Sequence, residues 1–312
     1  MDEWYDILPH VRNKQLLWWA QCRQLNHAIS ESHIQHVQWK LCGLWKCARK
    51  GDLKGVRYLV EWCGADDHAS CDDALQVASE NGHLEVVKYL VGKGANVHAM
   101  NDKALRVASE KGHLKVVKYL LLEGADVHVW NDDALVKASD QGHLEVVQFL
   151  IETGGADVHA PGLSGYNALI CASRKGHPEM VKYLVDEGGA DVHAMEEGAL
   201  RWASKFGFIE VVRSLVENGA DVHAWNNYAL REASMNGHLE VVRYLVEKGG
   251  ADMHAESDDA LRWASANGHV QLVQYLVENG ADVHAYNDFA LRWASRNGHV
   301  EVVEYLESKG AK

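Results

Sequence analysis

A phrase of about thirty residues is copied along most of this chain, and no other feature limits its fold so strongly. It runs GHLEVVKYLVGKGANVHAMN from Gly82 to Asn101 and returns with few changes at Gly112, Gly142, Gly176, Gly237 and Gly268. The leucine opening each copy falls at Leu44, Leu75, Leu105, Leu135, Leu169, Leu200, Leu230, Leu261 and Leu291, in steps of 31, 30, 30, 34, 31, 30, 31 and 30. Each 31 comes from one residue added before Gly-Ala, as at Gly188-Gly189 and Gly249-Gly250. The 34 adds Gly154 and three more residues in the loop PGLSGYN. Insertions confined to one loop mark a structural period.

Within a copy the pattern predicts helix, turn, helix, loop. Asp102 is positioned as an N-cap, with Asp72, Asp132, Asn227, Asp258 and Asp288 in the same place. The first helix carries an Ala-Ser pair (Ala108-Ser109) in every copy from Leu75 onward, small enough for neighbouring helices to approach closely. Gly112 breaks the chain. Leu114, Val117 and Leu120 then give the second helix a buried stripe. Gly124 ends it as a left-handed cap, and Ala-Asp-Val-His leaves as a short extended piece. Helices of about ten residues do not persist alone in water, so neighbouring copies must supply each other's core. The expected fold is an all-α solenoid of about nine helix-turn-helix units over residues 44–312. Polar Glu307 in a slot otherwise held by Val91, Leu121, Ile151, Val185, Val216, Val246 and Val277 makes the last helix a cap, with Glu301, Glu304 and Lys309. Residues 1–43 lack the period and are expected to form short helices over Trp4–His10, Asn13–Ile29 and Glu31–Leu41 that cover the other end.

Charge and hydropathy exclude several classes of function. A net charge of −13 argues against nucleic acid or an anionic membrane as partner, since both need a basic patch. No apolar run reaches the roughly 20 residues that span a bilayer, and the acidic start MDEWYDILPH is unlike a signal peptide. The expectation is a monomeric intracellular, cytoplasmic protein. Cys22, Cys42, Cys47, Cys63, Cys71 and Cys171 do not recur with the period and form no disulfide framework. Cys42, Cys47, Cys63, His68 and Cys71 are dense enough to raise zinc, but lack ligand pairs two to four residues apart.

Of nineteen histidines, fifteen belong to the repeat: seven in Gly-His, and eight in the Val-His-Ala slot (His68, His98, His128, His159, His193, His223, His254, His284). Rungs about 8–10 Å apart cannot share an ion with bonds of about 2 Å, so a structural role is expected and no metal or cofactor. No phosphate loop, nucleophile elbow or metalloprotease helix is present, which gives no basis for an enzyme.

Variation between copies is more informative than their agreement. Two residues after each opening leucine stand Val77, Val107, Lys137, Cys171, Trp202, Glu232, Trp263 and Trp293. A slot that accepts Lys and Trp is no deep core, because an unpaired buried charge costs too much. Trp202, Trp263 and Trp293 are therefore expected to be partly exposed, free for a partner or packed on the stems of Arg231 and Arg262. Loop tips carry Met195, Trp225 and Tyr286, Tyr228 and Phe289 precede the Ala-Leu pair, and Phe206-Gly207-Phe208 replaces xx-Gly-His. Arg201, Arg231, Arg262 and Arg292 form a parallel row that could meet an acidic partner, stack on these rings or be a solvated face. Aromatic residues and arginine anchor interfaces, so these residues are the candidate partner-binding set.

The GH-L-E-V-V-K-Y-L-V…G-A-D-V-H-A string resembles the ankyrin repeat over residues 44–312. The Thr-Pro-Leu-His signature is replaced by forms such as Phe289-Ala290-Leu291-Arg292, and most inter-repeat loops are three residues short. The resemblance implies a protein-interaction scaffold whose first helices and loop tips line a concave binding face, with shortened loops in place of long hairpin fingers. The ALRWAS…GHLEVVKYLV style is similar to arrays abundant in giant DNA viruses of amoebae, which would make the partner a host protein and the setting host cytoplasm. The Val-His-Ala slot often holds Asn in that family, a target of hydroxylation; modification of these His is left open. Residues 1–43 resemble the later part of an F-box, through ILPHVRNKQLLWWAQCRQLN and the Trp-x-Leu of QWKLC, with the usual opening Leu-Pro-x-Glu segment missing or reduced to Met1–Tyr5. That likeness implies docking through Ile7, Leu8, Leu16 and Leu17 onto the adaptor subunit of a cullin-based ubiquitin ligase.

Overall fold

The computed structural model describes residues 43–61 and 68–312. The F-box-like positions Ile7, Leu8, Leu16 and Leu17, the N-terminal cap expected before Gly43, and Cys22, Cys42 and Cys63 lie outside them. The chain divides into two compact units, one ending at Ala99 and one covering Met100–Lys312. All regular structure among the described residues is helical, as the period requires. In the first unit a helix over 43–50 pairs with Leu53–Glu61, and His68–Glu80 pairs with Leu84–Gly92.

The second unit repeats the pairing seven times. Ala99–Glu110 joins Leu114–Leu122, Asp133–Gln141 joins Leu144–Glu152, and Ala168–Lys175 joins Pro178–Asp186. Ala194–Phe206 joins Ile209–Glu217, and Ala224–Met235 joins Leu239–Glu247. Ala255–Ala266 joins Val270–Glu278, and Ala285–Arg296 joins Val300–Ser308. Each pair turns at a glycine, followed by His except at Gly207-Phe208. At Gly112, φ is +75°, His113 N donates to Ala108 O at 2.9 Å and Gly112 N to Ser109 O at 3.2 Å; both bonds satisfy carbonyls at the helix end. Leu105, Ala108, Val116, Val117 and Leu120 are sealed in the core. The buried stripe of the second helix thus includes Val116, and Leu114, expected there, is half-buried at the turn. The Ala-Ser pair does bring first helices together. Ala203 and Ser204 are fully buried, and the first helices of successive pairs pack more extensively on one another than the second helices do.

Two fastenings recur across the packing of successive pairs. In one, the Gly-His ring enters the pair before it. His143 Nε2–H donates to Glu110 O at 3.0 Å, and His238 Nε2–H to Lys205 O at 2.9 Å. The ring lies where a side chain on the earlier glycine would be: a Cβ on Gly207 would sit 2.5 Å from His238 Nδ1. In the irregular copy Phe208 fills the same space beside Gly176. The second fastening links second helices, where the Tyr183 hydroxyl donates to Glu152 at 3.0 Å and Tyr275 to Glu247 at 3.1 Å. Burial first, then that carboxylate, pushes each of these two phenols up to about 12. Where Phe149 replaces the tyrosine, Leu122 stands in the glutamate's place.

The loop departs from expectation. Asp102, Asp132, Asn227, Asp258 and Asp288 cap no helix; each ends a turn of three consecutive left-handed residues, such as Met100-Asn101-Asp102 at φ 52°, 55° and 49°. Met195-Glu196-Glu197 forms the same turn. The last side chain of the turn reaches sideways instead. Asp102 Oδ1 accepts from Asp126 N at 2.9 Å, Asp132 Oδ1 from Asp157 N at 3.1 Å and Asn227 Oδ1 from Asp252 N at 2.8 Å. Nor is Ala-Asp-Val-His extended: Asp126 Oδ1 accepts from His128 N at 2.8 Å in a tight turn. Left-handed residues cost ~1–2 kcal/mol each, and a hydrogen bond to a charged group contributes about 1.5–3 kcal/mol, so helix packing must hold the rest of the turn. The copy with the longer loop shows why the turn exists. There Asn167 is extended and is a true N-cap, its Oδ1 accepting from Ile170 N at 2.9 Å. Three fewer residues leave too little chain to reach the next helix by an ordinary cap.

Candidate protein-binding surface

The Leu-Arg-Trp sequence of a first helix places the leucine inward and the next two side chains toward the helix surface. Leu200, Leu230 and Leu261 are buried, while Trp202 and Trp263 are half-buried and Trp293 is exposed. The tryptophan slot is not uniformly open. Cys171 is sealed, with its thiol pushed up to about 11 by burial, and Glu232 is buried beside Lys205, 3.5 Å away. The sequence expectation that this slot stays out of the core thus fails at two positions, because Cys is small and Glu232 finds a cation.

The rings gather in three groups. Trp202 stacks on Phe206 at 5.7 Å, with Tyr166 edge-on at 6.1 Å and Phe208 beyond at 6.2 Å. Trp225 meets Tyr228 edge-on at 6.1 Å. Phe289 stacks on Trp293 at 5.4 Å and meets Tyr286 at 6.1 Å. Phe206, Trp225, Tyr286 and Trp293 remain 44%, 53%, 65% and 37% exposed. Trp225 and Tyr286 do so from left-handed backbone, where bulky side chains are uncommon.

The arginine row is largely occupied by the protein itself. Arg231 and Arg262 share Asp259, at 3.4 and 2.7 Å. Arg262 also donates to Glu256 O at 2.8 Å, and Arg292 to Tyr286 O at 3.2 Å. Arg201 lies 4.7 Å from the ring centres of both Trp225 and Tyr228, and Arg262 4.9 and 5.1 Å from Tyr286 and Phe289. Of the three roles open in the sequence, stacking describes these two side chains and Arg231, 4.4 Å from the Tyr228 ring centre.

Four histidines of the Val-His-Ala slot, His128, His193, His254 and His284, bind the acid of the left-handed turn. His193 Nδ1–H donates to Glu197 at 2.6 Å, and His254 and His284 reach Asp258 and Asp288 at 2.9 Å. The hydrogen bond and then the charge of Glu197 raise the His193 pKa. Among the described residues no group of three or more His, Cys, Asp or Glu side chains is placed to hold a metal ion, and no helix is long and apolar enough to cross a membrane.

Family models agree with this architecture. A model described as ankyrin repeats (3 copies) matches residues 44–131, 121–196 and 230–312, and one described as ankyrin repeats (many copies) matches 200–255. The chain belongs to the ankyrin-repeat family. The family is a protein-interaction scaffold, and the helical ankyrin array expected from the period is present. Sequence reasoning named Trp202, Phe206, Trp225, Tyr228, Tyr286, Phe289 and Trp293, and the fold brings them into the ring groups; Trp263 joins none of them. It missed Tyr166, which reaches Trp202 from the one full-length ankyrin loop, and Asp259, which neutralises two arginines. The signal for Asp259 was available: the residue two before each opening leucine faces the residue one after the previous one.

Proposed function

We propose that residues 166–296 of this ankyrin array bind a partner protein along the first helices and loop tips, the concave side of an ankyrin stack. The observation that carries this reading is the exposure of Phe206, Trp225, Tyr286 and Trp293 beside ring groups that the fold itself leaves open. Exposed aromatics of this size and number mark interfaces rather than solvated faces. Closer packing along the first helices than along the second favours curvature toward the first. No reaction is assigned to this surface. Trp202→Ala with Phe206→Ala, and Trp293→Ala alone, should each weaken partner capture in proximity labelling while leaving the helical circular dichroism spectrum intact. Unchanged labelling by both variants would sink the proposal. Resemblance to viral arrays adds a host protein as the source of the partner.

The F-box-like stretch supports a second activity, delivery of that partner to a cullin-based ligase. Co-purification of the cullin adaptor with the intact chain, lost on Leu16→Asp or Leu17→Asp, tests it. No adaptor recovered with intact protein rejects it.

A further inference from the structure

Arg201 is incomplete in a way its counterparts are not. In this array the residue after an opening leucine faces the residue two before the next opening leucine. Arg106 meets Asp133 at 3.3 Å and Arg231 meets Asp259 at 3.4 Å. The rule holds without charge as well, since a Cβ on Gly198 would sit 2.9 Å from Ile170 Cδ1. Opposite Arg201 the same position holds Tyr228. Arg262, which faces Phe289, is served instead by Asp259 three residues before it; three before Arg201 stands Gly198. The carbonyls of the left-handed turn, which accept from Arg106, Arg262 and Arg292 in their copies, receive nothing from Arg201. Among the described residues it therefore has no acceptor; its Nε, like that of Arg262, is sealed from solvent without a partner, but Arg262 has acceptors for its other nitrogens. Glu197 binds His193 through Oε1 at 2.6 Å and Glu232 Oε2 lies 3.5 Å from Lys205; neither bonds Arg201, and Oε2 of each is buried without a hydrogen-bond partner.

What Arg201 does have is position. Trp225 and Tyr228 hold its guanidinium at 4.7 Å from each ring centre, so little side-chain freedom remains to be lost when an acceptor arrives. The Trp202–Phe206 stack begins at the next residue of the same helix. We propose that Arg201 receives a carboxylate from an acidic segment of the partner protein, with an adjoining apolar side chain seated on Phe206 and Trp202. This rests on the first-helix surface being the binding face. A single open fork in a chain of net charge −13 favours one carboxylate over a polyanion.

The fold supplies its own test. Tyr228→Asp places beside Arg201 the carboxylate that Asp259 gives Arg231, closing the fork from within without emptying the core. Short random peptides selected on the full chain, carrying a photo-crosslinker, give the probe. Selected peptides should combine Asp or Glu with an apolar residue and crosslink to the first helices. Their affinity should fall roughly tenfold or more on both Arg201→Gln and Tyr228→Asp, less on Arg201→Lys, with circular dichroism unchanged. Acidic peptides that bind Tyr228→Asp as tightly as the parent overturn the proposal, as does displacement by a short single-stranded oligonucleotide. Neutral or basic peptides that crosslink to the first helices overturn this inference and leave the binding face standing; selection of none on that face removes both.

Discussion

Gly207→Ala measures how much the ring-into-glycine fastening contributes. Gly207 has φ +76°, and an added Cβ would lie 2.5, 2.7 and 2.8 Å from Nδ1, Cε1 and Cγ of His238. The ring cannot simply swing away, because its Nε2–H is bonded to Lys205 O at 2.9 Å. Three costs combine: a left-handed alanine, ~1–2 kcal/mol; overpacking, ~1–3 kcal/mol; and a weakened buried hydrogen bond, about 1 kcal/mol. The sum is roughly 3–5 kcal/mol once the reduced freedom of the unfolded chain is subtracted. Gly219 isolates the first cost, with φ +93° and nothing within 4 Å of its Cβ, so Gly219→Ala should lose only about 1 kcal/mol. Urea denaturation of both variants, followed by circular dichroism, gives the difference. Hydrogen exchange should place the loss of Gly207→Ala on the pairs beginning at Ala194 and Ala224. Adding His238→Ala should recover the steric part in a double-mutant cycle. Equal losses in the two alanine variants, or no recovery, would refute the reasoning.

Three further outcomes follow from the loops. His193 has a raised pKa in the folded state, so its contribution is complete below about pH 6.5 and is lost as pH rises through the raised value; unfolding midpoints of His193→Gln and parent should separate in mild acid and converge in mild alkali, by a small margin because the ring is exposed to screening. Asn167→Ala should cost about 1 kcal/mol in chemical denaturation by removing the bond from Ile170 N, and Asn167→Asp should restore it. Ser257 is exposed at φ 58°, so Ser257→Gly should leave the urea midpoint unchanged or raise it by up to about 1 kcal/mol, whereas Ser257→Val should lower it.

The period, the helix pairs and the Gly-His turn are legible in the sequence because they depend on residues close together in the chain. What escapes is contact between copies. Asp102 and Asp132 carry an N-cap signature, and nothing local distinguishes an aspartate that caps its own helix from one that accepts a neighbour's N–H 24 or 25 residues on. The loop length was the available hint, since only the copy with three extra residues, at Asn167, has room for the cap. For the candidate surface, slot variation identified side chains that stay out of the core, but not which arginines were already satisfied. Arg231 and Arg262 look alike in sequence to Arg201, and only Asp259, which faces Arg231 and stands three residues before Arg262, separates them from it.

Each fastening described above has its two halves at equivalent positions of neighbouring copies: a glycine and the later ring that fills it, an acid and the later N–H that donates to it. Excising or duplicating a block between equivalent points restores both halves at the new junction wherever the copies that meet carry them. Array length can therefore change by recombination without inventing an interface, and selection acts on surface residues such as Tyr228 one copy at a time.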